Sequence, residues 1–178
     1  MPSLLDVDIR PLTTADLDMV LTWRNHPHVR QRMLTQHVIS PQEHEAWFAH
    51  AKTRDDKRIM LVETEGKAFG LVHFTGVKPQ ASVDWGFYVA PDSPSGSGQL
   101  LGQAALEFAF QKLLIHKLCG QVLDSNTASI RFHARLGFKL EGRLRKQVFI
   151  APSHEDLLCY GLLREEWLQA DQLRNTDD

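Results

Sequence analysis

The chain is poor in several features that would direct its reading elsewhere. Its 178 residues contain no run near the roughly 18 apolar residues that a membrane-spanning helix needs. The opening "MPSLLDVDIRPL" lacks the basic-then-apolar order of a secretory leader. Both absences lead to the expectation of a cytoplasmic protein with no membrane partner. No sign of charge prevails: 20 Lys and Arg stand against 22 Asp and Glu, a net charge of −2, so no global field attracts nucleic acid. Cysteine is scarce, and Cys119 and Cys159 lie outside any metal or redox spacing, which predicts two reduced, packed thiols. Histidine is not scarce, yet "HPH" and "HEAWFAH" have neither the i, i+4 spacing nor the carboxylate partner of a zinc enzyme, so no metal is expected. There is no internal repeat, low-complexity stretch or linker.

What remains is an ordinary globular composition, 43% apolar and 24% charged, in a length that suits one domain. That domain is expected over residues 1–168, with a frayed polar tail over 169–178. "VDIRPL" alternates like a short strand, and Thr13 or Thr14 can cap the helix "ADLDMVLTWRN". Ser40, Pro41 and Glu43 form a helix start with a capping box. "RIMLVET", "AFGLVHFTG" and "SVDWGFYVA" then read as an antiparallel meander. A long helix, the strand "KLCGQVLDS", a helix capped by Asn126 and ended by Gly137, and a last hairpin around "IAPSH" complete an α+β chain with one βαβ crossover.

The stretch "YVAPDSPSGSGQLLGQAALEFAFQKL" places Gly96 and Gly98 where a strand gives way to a helix. A helix N-terminus presents unpaired N–H donors and about half a positive charge, and glycine lets phosphate oxygens come close to them. The same glycines also suit a tight loop with no ligand. No Gly-Lys-Ser/Thr follows, which excludes a nucleotide P-loop, and the three-glycine dinucleotide fingerprint is incomplete.

A second element, "SNTASIRFHARLGF", follows at residues 125–138. With a strand ending "YVAP", a G-x-G turn and then Asn-x-x-Ser-Ile-x-x-His-x-x-x-Gly-Phe, the chain resembles the GCN5-related N-acetyltransferase (GNAT) superfamily. The resemblance implies an α+β GNAT fold: a mixed, mostly antiparallel twisted sheet flanked by helices, with a splayed parallel strand pair. It implies acetyl-coenzyme A as cosubstrate, its pyrophosphate on the amides of Ser95, Gly96, Ser97, Gly98, Gln99 and Leu100. Main-chain edge groups of Phe87 and Val89 would pair with the pantetheine arm as an added strand does. Asn126 and Ser129 would hold the arm from the other side, a role compatible with capping. Two positions depart from the superfamily pattern. Ser93 stands where Arg or Gln often begins the turn, and His133 stands where a tyrosine usually protonates the departing thiolate. A histidine is able to donate that proton near neutral pH, and a buried structural histidine is the alternative.

Amine acetylation from a thioester needs positioning, an oxyanion donor such as the Val89 N–H, and no covalent enzyme intermediate. For the base, Asp84, Asp124, His73 and a water chain all remain open. "TWRNHPHVR", "HEAWF", "WGFYVAP", "SIRFHARLGFKLEGRLR" and "EDLLCYGLLREEW" resemble, more narrowly, the enzymes of pseudaminic acid biosynthesis. Those acetylate the 4-amino group of UDP-4-amino-4,6-dideoxy-N-acetyl-β-L-altrosamine, on the route to a sugar of bacterial flagellin or surface polysaccharide. By that resemblance Met33, Leu34, Trp47, Trp85 and Gln121 line the acceptor pocket, and Phe48 joins Met33, Leu34 and Trp47 in an apolar cluster suited to one wall of it, although core packing also accounts for the apolar ones. A ribosomal-protein N-terminal acetyltransferase and a non-catalytic acyl-coenzyme A sensor are the competing readings. The oligomeric state stays open, a homodimer included.

Overall fold

A computed structural model describes residues 6–175. Seven strands form one sheet: β1 (Val7–Pro11), β2 (Lys57–Thr64), β3 (Lys67–Thr75), β4 (Ser82–Val89), β5 (Lys117–Leu123), β6 (Lys139–Ile150) and β7 (Ser153–Leu163), in the order β1-β2-β3-β4-β5-β7-β6. Every neighbouring pair is antiparallel except β4 and β5, which the intervening crossover helix makes parallel. This is the α+β architecture that the resemblance implied.

The two-residue period of the strands sorts their side chains between two cores. On one face Met60, Val62, Val72, Phe74, Val83, Trp85, Leu118, Val122 and Leu158 pack under α4 (Ser97–Glu107), α5 (Thr127–Arg135) and α6 (Arg164–Asn175). On the other, Leu61 and Leu71 meet Val20 and Trp23 of α1 (Leu17–Asn25) and Phe48 of α3 (Pro41–Lys52). Between those helices lies the single turn α2 (Pro27–Arg30). Among the described residues no helix is long and apolar enough to cross a membrane.

Local signals explain the boundaries, with three differences from expectation. Ser40 Oγ accepts the Glu43 N–H at 3.1 Å, as a cap should, but the Glu43 carboxylate turns to His37 at 2.8 Å, so the box is only half made. The long helix after the glycine turn keeps α geometry only to Glu107 and continues as a π turn over Phe108–Lys112. The tail expected to fray from Gln169 is helical as far as Asn175, because α6 begins at Arg164 and Trp167 anchors it, its ring stacked on Phe110 at 5.5 Å; positions 176–178 of that tail lie outside the described residues.

Candidate active site

Pairing between β4 and β5 covers only Ser82, Val83 and Asp84 against Lys117, Leu118 and Cys119. Beyond them β4 stays on β3 and β5 stays on β7, so the two strands part and a wedge opens. One hydrogen bond tells which groups line it. The Ala90 N–H donates to Phe69 O at 2.8 Å, which by alternation turns Tyr88 and Gly86 toward β3 as well. The main-chain groups of Phe87 and Val89 therefore face the wedge beyond the last β4–β5 pair, placed to pair with an extended amide chain.

Parallel strands deliver both following helices to the same end of the wedge. After β4, Gly96 caps α4 with φ +94°, a left-handed conformation that favours glycine. Three of the six amides in the turn are occupied: Ser97 N–H by Pro94 O, and those of Gln99 and Leu100 by Gly96 O. Those of Ser95, Gly96 and Gly98 have no partner among the described residues. A Cβ added at Gly96 or Gly98 would meet nothing within 4 Å, so the space above the turn is open. The donor set fits a diphosphate. Ser93 ties its hydroxyl to Phe69 O at 3.1 Å, shaping the loop rather than facing an anion. After β5, Asn126 Oδ1 accepts the Ser129 N–H at 3.1 Å and caps α5.

His133 lies one turn further along α5, only 2% exposed and ringed by Trp85, Phe87, Phe132, Phe138 and Tyr160. Its Nδ1 donates to Ser129 O at 2.8 Å. The proton is thus held on Nδ1, and Nε2 carries a lone pair that is buried without a partner. Burial lowers the pKa of the ring, and the Ser129 bond only partly opposes it. In its neutral form this histidine has no proton to give at Nε2. That atom lies 2.6 Å from where a Gly120 Cβ would be, and the unpartnered Trp85 Nε1–H lies 2.9 Å from the same point.

The opposite face carries the remaining candidates. The segment holding Met33 and Leu34 is pinned from below: Arg24 Nη2 donates to Thr35 O, Arg30 Nη1 to Gln36 O, and Asn25 exchanges two bonds with Ile39, all at 2.8 Å. Leu34 is 48% exposed there. Trp47 stacks on His44 at 5.0 Å, whereas Phe48 is buried in the core. Gln121 is exposed on β5 opposite Cys159. Trp85 points away from all of these, into the α4 and α5 side. The structure thus gathers Met33, Leu34, Trp47 and Gln121 on one face and leaves Phe48 and Trp85 as packing.

Arg24, Arg30 and Tyr88 lie on the same face and are residues that motif reading does not reach. No local pattern marks Arg24, next to the core residue Trp23, as half-buried. Arg24 Nη1 and Arg30 Nε are sealed and unpartnered, and neither residue has a carboxylate partner among the described residues. Burial, with the like charge of Arg30, lowers the Arg24 pKa, while Tyr88 and Glu43 oppose the shift. Burial in turn pushes the Tyr88 hydroxyl well above its usual range. Among the described residues no group of three or more His, Cys, Asp or Glu could hold a metal ion.

Residues 6–139 match the family model of the acetyltransferase (GNAT) domain. The chain is 31% identical over 124 residues to the SPbeta prophage-derived uncharacterized N-acetyltransferase YokL of Bacillus subtilis, covering 68% of this chain and 70% of that one. It is 25% identical over 129 residues to the acetyltransferase PseH of Campylobacter jejuni, covering 72% and 80%. In structure it is similar to a spermidine N-acetyltransferase from Vibrio cholerae in complex with CoA and spermine, with a TM-score of 0.82 and 21% identity over 92% of this chain and 99% of that one.

Proposed function

The chain belongs to the GNAT family of acetyl-coenzyme A-dependent N-acetyltransferases, and we propose that its acceptor is the 4-amino group of UDP-4-amino-4,6-dideoxy-N-acetyl-β-L-altrosamine, in pseudaminic acid biosynthesis. The observation that carries this reading is the pair of part-buried guanidiniums of Arg24 and Arg30 on the acceptor side, which bond the carbonyls of Thr35 and Gln36 and have no ion-paired carboxylate among the described residues. Their charge is of the sign that attracts a nucleotide diphosphate. A polyamine brings the wrong sign. The likeness to PseH supports the same choice, and spermidine N-acetyltransferases of similar identity, such as that of Escherichia coli at 23%, make the contrast worth testing.

In this reading the amides of Ser95 to Leu100, the free ones foremost, hold the pyrophosphate of acetyl-coenzyme A. Main-chain groups of Phe87 and Val89 align its amide arm, and Asn126 and Ser129 close from α5. The Val89 N–H stabilises the oxyanion as charge develops on the thioester oxygen. Met33, Leu34, Trp47 and Gln121 contact the acceptor, with Phe48 packed behind Trp47 in the core of that face. His133 serves as acid only when it enters the cycle as imidazolium, which its surroundings oppose.

Thiol release from acetyl-coenzyme A with the UDP-amino sugar, spermidine or a ribosomal N-terminal peptide tests the reading. Turnover with the sugar alone is expected, and Arg24→Gln is expected to raise the KM for it about tenfold, one charge-assisted contact, without changing coenzyme A affinity. Comparable kcat/KM with spermidine would overturn it.

A further inference from the structure

His73 stands at the centre of β3, opposite Gly86 of β4. Its ring occupies the place of a missing side chain: Nε2 lies 2.4 Å and Cε1 2.8 Å from where a Gly86 Cβ would be. The ring thus leans across β4, edge first, where β4 and β5 have just parted beyond Asp84 and Cys119. By alternation it shares the acceptor face with Tyr88 and Asp84 of β4, and Lys57 of β2 is the cation whose field reaches it. Nδ1 is sealed and unpartnered, whereas Nε2 is not sealed in this way. No hydrogen bond fixes the ring proton on either nitrogen, in contrast to His133, whose proton is held by Ser129 O.

Acetylation of an amine must move one proton. The nitrogen lone pair attacks the thioester carbonyl carbon, the C–N bond forms, the C–S bond breaks with its pair going to sulfur, and the amine's proton has to reach that sulfur. We infer that His73 is the catalytic group that carries this proton, taking it from the amine at Nε2 and passing it to the departing thiolate. Burial holds the His73 pKa at about 4, so an imidazolium formed there gives up its proton readily to a thiolate, whose conjugate acid lies near the ordinary thiol value of about 8.5. The products are an amide and a thiol, with His73 returned to its neutral form and no other reactant consumed. His133, with Nδ1 tied and Nε2 sealed, has no comparable path. This assignment rests on amine acetylation by the family and not on which amine is used.

The test compares wild type, His73→Gln, His73→Ala, Gly86→Ala and Asp84→Asn by thiol release with acetyl-coenzyme A and each of the three amines above. The wild-type rates alone judge the acceptor, and the ratio of variant to wild type with whichever amine turns over fastest judges His73. His73→Gln is expected to lower kcat about a hundredfold or more, with coenzyme A affinity unchanged. Gly86→Ala, which keeps the histidine but displaces its ring, is expected to lower kcat in a protein that still binds coenzyme A. Added imidazoles should restore the His73→Ala rate in proportion to their basicity. Wild-type kcat in His73→Gln would overturn the assignment. So would a loss that no imidazole restores, or one confined to Asp84→Asn.

Discussion

Two imidazoles fill the space of an absent glycine side chain, one on each face of the sheet, and they differ in what holds their protons. His133, over Gly120, is boxed by aromatic rings and bonded to the helix carbonyl one turn back. His73, over Gly86, has no bond on either nitrogen. Burial depresses the pKa of both. Burial alone therefore does not separate the two; the partner of each nitrogen does. The same contrast divides the whole site. In the proposed site the cofactor side rests on main-chain groups of β4 and of the turn before α4, while the acceptor side draws on side chains from α1, α2, α3, β3 and β5 and from the segment after α2.

The largest effect that would test this division falls on the glycine turn. Gly96→Val places a β-branched residue at φ +94° and distorts the amides at Ser95, Gly96 and Gly98. Strain of about 1–3 kcal/mol, added to weakened charge-assisted bonds, should reduce coenzyme A affinity about a hundredfold by calorimetry. The acceptor KM should hardly move. Equal affinity for coenzyme A would mean that the diphosphate is held elsewhere and that the cofactor side is not a main-chain site.

Acidity gives the next largest effect. His73 folds with a pKa of about 4 against an ordinary 6.5. Between those values the unfolded chain binds the extra proton, so stability is complete above the unfolded pKa and is lost as pH falls toward the folded one. From about pH 7 to about pH 5 the loss assigned to His73 is about 2 kcal/mol. His133 and His44 are shifted in the same direction and add to the slope. Urea unfolding at both pH values should give a flatter dependence for His73→Gln than for the wild type. An unchanged slope would show that His73 titrates normally, erasing its difference from a surface histidine.

The legibility of the two halves in the sequence differed for a physical reason. Caps, turns and strand alternation are local, so Ser40, Asn126, Gly96 and the order of strands could be read from neighbouring residues. The main-chain contacts proposed for the cofactor side share that locality. The acceptor side depends on which face a side chain meets after folding. Trp85 was expected at the acceptor and lies on the opposite face, whereas Arg24, Arg30 and Tyr88 carry no local mark of their position. Even the half-made capping box has this origin, since Glu43 found a partner in His37 that only the fold brought near.

Asn126 offers the smallest and most selective test, because one side chain is asked to serve both the fold and the ligand. Its Oδ1 caps α5 through the Ser129 N–H, and its Nδ2 has no partner among the described residues. Aspartate caps as well as asparagine, so Asn126→Asp should keep the unfolding midpoint while removing the only donor. If that donor holds the amide arm of coenzyme A, affinity should fall by one neutral hydrogen bond, about 1 kcal/mol or roughly fivefold. Asn126→Ala should lose the cap as well and destabilise by about 1 kcal/mol. Unchanged coenzyme A affinity in Asn126→Asp would confine Asn126 to the helix and leave the cofactor side built from main chain alone.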